Sequence, residues 1–188
     1  MALSLKNSEV REDLVAYWSI PLRDGMHTVE FEHGPTSGKR VLRIDGQEVI
    51  RREWMFKLVG DEKFTIGIEN IPCELCVDPM PNLAFEYNLY VNGKPFEKFV
   101  EEQNRSLRLW SILLNGKRHK IVLEKETLDI WVNGENMEIE SDFTDTGTEM
   151  VFMLDENEAR LRACSAKKKE GVLHELYINN KLVEDERL

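Results

Sequence analysis

Among the residues of this 188-residue chain that could do chemistry, Cys73 and Cys76 stand out first, spaced as a redox or zinc pair. Residues 73–77 alternate like a strand, with Leu75 and Val77 inward. Strand positions three apart point to opposite faces and lie ~10 Å apart. That is too far to bind one ion at ~2.3 Å each, and the wrong direction for a disulfide. Cys164 is the only other cysteine, and no helix follows the pair to lower a thiol pKa. The histidines are His27, His33, His119 and His174, and no serine or cysteine carries a local nucleophile signature to pair with them. Glu30 and Glu32 share a strand face, ~6.6 Å apart along the chain, but a solvated sheet face explains them in a chain with 35 acids. Glu101 with Glu102, and Glu138 with Glu140, read the same way. Residues 33–40 have a phosphate-loop flavour. They lack a glycine five residues before Gly38, and Arg40 stands where Ser or Thr is needed. A long hairpin connection is expected there, with backbone N–H groups able to hold an anion only weakly. No catalytic residue, cofactor site or metal site is therefore expected, and the chain reads as a non-enzyme.

Recognition is the better prospect. Residues 51–60 form the densest aromatic stretch, and alternation puts Trp54, Phe56 and Leu58 on one face. Core packing is the expectation for them, with a recognition surface as its rival. Alternation points Tyr90, Trp131 and Tyr177 outward, which makes these three the candidate partner contacts. Lys167-Lys168-Lys169 reads as a solvated loop that would steer an acidic partner.

The elements that must position these residues are strands. Phe85, Tyr87, Leu89 and Val91 alternate with polar or outward residues, as do Leu128, Ile130 and Val132, and Val29 and Phe31. Asp24-Gly25, Asp45-Gly46, Asn92-Gly93, Asn115-Gly116, Asn133-Gly134 and Asn179-Asn180 separate the runs, and such pairs suit tight hairpins. Residues 96–108 read as either one short helix or a charged linker. An internal repeat runs through the chain: Trp18-Ser19-Ile20 returns as Trp110-Ser111-Ile112, and Leu89-Tyr90-Val91 as Leu176-Tyr177-Ile178. In this repeat His27 matches His119, and His174 matches Tyr87 on the inward side. The expected fold is all-β, with two tandem antiparallel β-sandwich-like domains related by internal duplication. The expected divisions are a polar tail over 1–13, domains over 14–99 and 109–188, and a linker over 100–108. The charged end, residues 184–187, reads as frayed.

A formal charge of -10 argues against nucleic acid, whose binders carry excess cations, and against anionic membranes. No apolar run approaches the ~20 residues of a membrane span. The start has no apolar leader core, and three cysteines make no disulfide framework, so a reducing, cytoplasmic setting is expected.

The chain resembles the Fas apoptotic inhibitory molecule family. The resemblance is carried by Phe31-Glu32-His33-Gly34, Thr36-Ser37-Gly38-Lys39-Arg40-Val41 and Arg52-Glu53-Trp54-Met55-Phe56-Lys57-Leu58-Val59-Gly60. In the second half it rests on Ile121-Val122-Leu123-Glu124-Lys125, Asn133-Gly134 and Lys169-Glu170-Gly171. It covers residues 13–183, and the chain departs from the pattern over 65–83, with its prolines and two cysteines. The resemblance implies a cytosolic, non-enzymatic protein of two β-sandwich domains that restrains death-receptor apoptosis. It also implies a tendency to hold stress-damaged proteins back from aggregation. Its partners would be apoptotic signalling components or aggregating clients, without nucleic acid or membrane insertion, and with a homodimer left open. It brings no catalytic or cofactor residues.

Overall fold

The computed structural model describes residues 14–144, 147–165 and 171–186. Its turns follow from local backbone chemistry. Asp45, Asn92, Asn115, Asn133 and Asn179 have φ between 48° and 51°, and each is followed by a second residue of positive φ. Two consecutive left-handed residues give a hairpin turn whose twist matches the flanking strands. All six expected turn pairs join neighbouring strands.

The first four strands, β1 (Leu14–Leu22), β2 (Gly25–His33), β3 (Arg40–Ile44) and β4 (Gln47–Arg52), pair in chain order into one antiparallel sheet. A second sheet takes β5 (Gly60–Ile66), β6 (Ile71–Met80), β7 (Ala84–Val91) and β8 (Lys94–Pro95), with a 3-10 turn at Pro81–Leu83. The helix α1 (Phe96–Ser106) follows. Then β9 (Leu107–Leu114), β10 (Lys117–Glu124), β11 (Ile130–Val132) and β12 (Glu135–Asn136) repeat the first sheet. Finally β13 (Glu140–Thr144), β14 (Gly147–Leu154), β15 (Asn157–Ser165), β16 (Val172–Ile178) and β17 (Lys181–Val183) make a five-stranded sheet. The matched turns put β14–β17 in the places of β5–β8, so the expected duplication is present in topology, with β13 as an addition.

Packing divides the chain into two units that interleave in sequence. One takes the described residues up to Ile20, with His27–Ile66 and Pro72–Pro95. The other takes Pro21–Met26, Gly67–Ile71 and the described residues from Phe96 onward. In the second unit, Trp110, Ile121, Leu123, Ile130 and Val132 from one sheet pack on Met150, Phe152, Leu154, Leu161, Leu176 and Ile178 from the other. That is the core of an antiparallel sandwich. Val122, between two core residues of β10, is also fully buried, against Leu107, Leu109, Met26 and Trp131. In the first unit, Val29, Phe31, Val41, Leu75, Val77, Leu89 and Val91 are buried from two sheets.

Several expectations change. Residues 100–108, expected as a linker, form the later turns of α1 and the start of β9. Asp185 and Glu186, in the stretch expected to fray, are held in place. Asp185 bridges to Trp110 and pairs with Arg108 at 2.8 Å, and Glu186 N–H donates to Leu109 O. Glu32 lies on no solvated face. It is 5% exposed and pairs with Arg43 and Lys39. The tail over 1–13 and the run Lys167–169 lie outside the described residues.

Candidate functional site

Arg40 opens β3, in register with His33 of β2 on one side and Arg52 of β4 on the other. A central strand is covered on both sides, and this arginine is 1% exposed. A buried guanidinium needs acceptors for its fixed fork of donors. Arg40 Nη1 donates to Glu62 Oε1 on β5 at 3.0 Å and to Gly60 O at 3.3 Å, and Nη2 donates to Leu58 O at 3.3 Å. Glu62, itself 4% exposed, also accepts from Arg52 Nε and Nη2 at 3.2 Å. One buried carboxylate and two carbonyls thus fix the backbone where the β4–β5 connection ends.

The same connection is held in its middle. Met55 N–H donates to Ser37 O at 3.0 Å. Gly38, at φ 68°, lies so close that a Cβ there would stand 2.5 Å from Met55 O. With the backbone tied at Met55, Leu58 and Gly60, the intervening side chains turn outward. Phe56 is 93% exposed and Trp54 57%, and their rings meet edge to face at 4.1 Å. The expected strand face over residues 51–60 is therefore a loop from Glu53 to Val59, and Trp54 and Phe56 are not core. Strand length held the clue. A strand from Gln47 to Leu58 would run twelve residues, beyond the usual 3–10.

An aromatic cluster supports the base of this end. His33, 1% exposed, has Nδ1 at 2.9 Å from the Tyr87 hydroxyl and meets Phe85 edge to face at 4.8 Å. These contacts tie β2 to β7. Burial, and then the Arg40 charge, push the His33 pKa below its ordinary value. Burial also works to raise Glu32, but hydrogen bonds from Arg43 and Lys39 outweigh it and hold its carboxyl below the usual range. Near Phe85, Leu83 is 94% exposed at φ 61°. A branched residue in that region is strained, and such strain persists where the surroundings enforce it.

The other candidates sit where alternation put them, but they are covered. Trp131 is half-buried, with the Arg23 guanidinium over its ring at 5.6 Å. Tyr177 is half-buried under Arg162 at 5.8 Å and donates its hydroxyl to Glu175 Oε2 at 2.9 Å. Tyr90 is half-buried opposite Glu74 and Pro95, beside a shallow cleft. His27 Nδ1 pairs with Asp45 at 2.7 Å, and His119 Nε2 lies 3.1 Å from Asp155. Both are structural contacts on separate turns. Cys73 is buried and Cys76 half-buried, on opposite faces of β6, and burial pushes their thiols up to about 12 and about 11. Among the described residues, no group of three or more His, Cys, Asp or Glu could hold a metal ion. No described helix is long and apolar enough to cross a membrane.

This geometry can grip another surface: two aromatics stand clear of the body on a backbone that cannot easily collapse. Exposed aromatic anchors on rigid supports are the usual centres of binding energy at protein interfaces. The chain matches the Fas apoptotic inhibitory molecule (FAIM1) family over residues 14–186. It is 44% identical over 174 residues to Fas apoptotic inhibitory molecule 1 of Bos taurus, covering 92% of this chain and 87% of that protein. It is 43% identical over 170 residues to the Homo sapiens protein of the same name, covering 90% of this chain and 95% of that protein. The Mus musculus protein matches at 44% over the same length and shares. Matches of this extent, spanning both units, show that the chain belongs to the Fas apoptotic inhibitory molecule family.

Proposed function

We propose that this chain restrains death-receptor apoptosis in the cytosol without catalysis, by protein contact made through the loop over residues 53–59. Family membership supports the apoptotic role. The exposed Trp54–Phe56 pair, braced by the buried Arg40–Glu62 contact, supports the mode of action. Leaving a phenylalanine in water forgoes about 1.5–3 kcal/mol of burial. A fold that holds its backbone by buried charge while leaving those rings outside is built to cover them with something else.

The test is complementation of cells lacking the chain, with Fas ligand as stimulus and caspase activity as readout. Wild type protects, and the double variant Trp54→Ala/Phe56→Ala, folded as judged by circular dichroism, does not. Full protection by that variant refutes the assignment. Trp131→Ala and Tyr177→Ala serve as comparisons, since loss of protection there moves the contact to the outer sheet faces. A second reading, a holdase for aggregating clients, draws on Phe56, Leu83 and Phe143, each at least 88% exposed on a body of charge -10. It predicts that wild type suppresses light scattering by a heated client and that the same double variant suppresses it less.

A further inference from the structure

Among the described residues the four sheets end in eight edge strands: β1 and β4, β5 and β8, β9 and β12, β13 and β17. An edge strand offers unpaired N–H and C=O groups, and proteins blunt it with charge, brevity or a covering segment. Seven of the eight are blunted in this way. β4 carries Glu48, Arg51 and Arg52, β5 carries Asp61, Glu62 and Lys63, and β13 carries Glu140 and Asp142. β8, β12 and β17 are only two or three residues long. β9 is covered, since Trp110 bridges to Asp185 and Leu109 O accepts from Glu186 N–H. β1 is the exception. Its nine residues hold no charge. Leu14, Val15 and Tyr17 are 41%, 40% and 56% exposed. Its one proline, Pro21, lies at the buried end and leaves Leu14–Ser19 open.

The duplication gives the reason. Trp18 is the counterpart of Trp110, where the residues after β17 cap β9. The residues after β8, in the matching place, form α1 instead, and α1 packs with the second unit. The first unit therefore lacks the segment that the second uses to cover its edge.

We propose that β1 pairs antiparallel with β1 of a second copy of this chain, about a two-fold axis at Ala16. Directly opposite residues of an antiparallel pair share a face, so the axis must pass through a residue. At Ala16 it sets each exposed Val15 opposite Tyr17 of the second copy, and each Leu14 opposite its Trp18. Aromatic and β-branched or aliphatic residues are favourable partners across such a pair. Charge selects the same stretch. Two molecules of charge -10 repel, and Leu14–Ser19 lets them meet where neither is charged. The pairing also closes, because each copy covers the other's open edge and leaves none to extend a filament. Five residues a side bury less than the roughly 1,200 Å² of a standard interface, so the dimer is weak and reversible. It does not depend on the loop over residues 53–59.

The experiment is sedimentation equilibrium on the full chain from about 1 μM to 1 mM, the span of weak complexes. The wild type should pass from monomer to dimer and stop there. Tyr17→Lys, at an exposed position and folded as judged by circular dichroism, should weaken the dimer at least about tenfold, since the axis counts the change twice. Ala16→Cys should give a disulfide-linked dimer under mild oxidation, because opposite Cα atoms lie about 4.5–5.5 Å apart. Ser19→Cys, ~20 Å from its mate in this register, should crosslink no more than wild type. Trp54→Ala/Phe56→Ala should dimerise as wild type does, so this proposal and the reading of the loop fail separately. A monomer at every concentration overturns the pairing, and so does a dimer that Tyr17→Lys leaves unchanged. Equal crosslinking of Ala16→Cys and Ser19→Cys, or species larger than a dimer, overturns the two-fold register. Loss of the dimer in the Trp54→Ala/Phe56→Ala variant moves the contact to the loop and overturns the assignment to β1.

Discussion

Arg40 and Arg52 share the Glu62 carboxylate, yet their removal should have very different consequences. The Arg40 side chain is 2% exposed and the Glu62 side chain 5%, whereas that of Arg52 is 50%. Arg40→Met deletes the buried donor to Glu62, Arg40 Nη1. It also leaves the Leu58 and Gly60 carbonyls without the guanidinium. Breaking a buried pair costs about 3–5 kcal/mol. Arg52 still holds Glu62 with two bonds, which places the loss near the lower end, at about 3 kcal/mol. Arg52→Met removes an exposed pair, worth about 1 kcal/mol or less. Urea unfolding measured by circular dichroism should separate the two variants by about 2 kcal/mol in the transition of the first unit. Thermal scans should separate them by roughly 10 °C. Hydrogen exchange at the amides of residues 53–59 should quicken in Arg40→Met and stay near wild type in Arg52→Met. Equal destabilisation of the two variants, or unchanged exchange in Arg40→Met, refutes the idea that the buried arginine holds the loop.

Two more outcomes follow from the same end of the unit. His33 is held below its ordinary value of 6.5, so at mildly acidic pH the unfolded chain binds a proton that the folded chain does not. Its contribution to stability is full above 6.5 and is lost as pH falls from there towards the folded value. The slope is at most about 1.4 kcal/mol per pH unit. His33→Gln should flatten the decline in unfolding free energy between pH 7 and pH 5, leaving a residue from His174, which burial shifts the same way; an unchanged slope contradicts this. Gly38→Ala should strain a left-handed backbone and press on Met55 O, lowering stability by about 1–2 kcal/mol. It should weaken whatever contact the Trp54–Phe56 pair makes, and a variant as stable as wild type would show that the Gly38–Met55 approach is not needed.

Those features that depend on neighbours in sequence were legible. Asn-Gly and Asp-Gly pairs specify hairpins because the left-handed turn geometry is a property of the residues themselves. Leu75 and Val77, Leu89 and Val91, and Leu176 and Ile178 all face inward as their alternation requires. Alternation does not show how far Tyr90, Trp131 and Tyr177 are covered: each is half-buried. Trp131 is covered by a second apolar cluster with Leu107, Leu109, Val122 and Met26 as well as by Arg23, and Tyr177 lies under the long Arg162 side chain. Periodicity counts charged residues as outward, so it could not place Glu32 or Arg40 inside.

Arg40 also explains why the aromatic run is not a strand. By side-chain type alone, Trp54, Phe56 and Leu58 alternate as well as any strand here. What overrides that pattern is a demand from elsewhere in the chain: a guanidinium sealed between strands must find carbonyl oxygens. Carbonyls already paired across a ladder would serve it poorly. Leu58 and Gly60 can turn their carbonyls to Arg40 because the chain just ahead of them leaves the sheet. The polar requirement of one buried residue thus sets the path of the loop, and the path puts Trp54 and Phe56 in water. In this reading the buried charge and the exposed rings are a single device, so a substitution that relaxes the first should disturb the second without touching either ring.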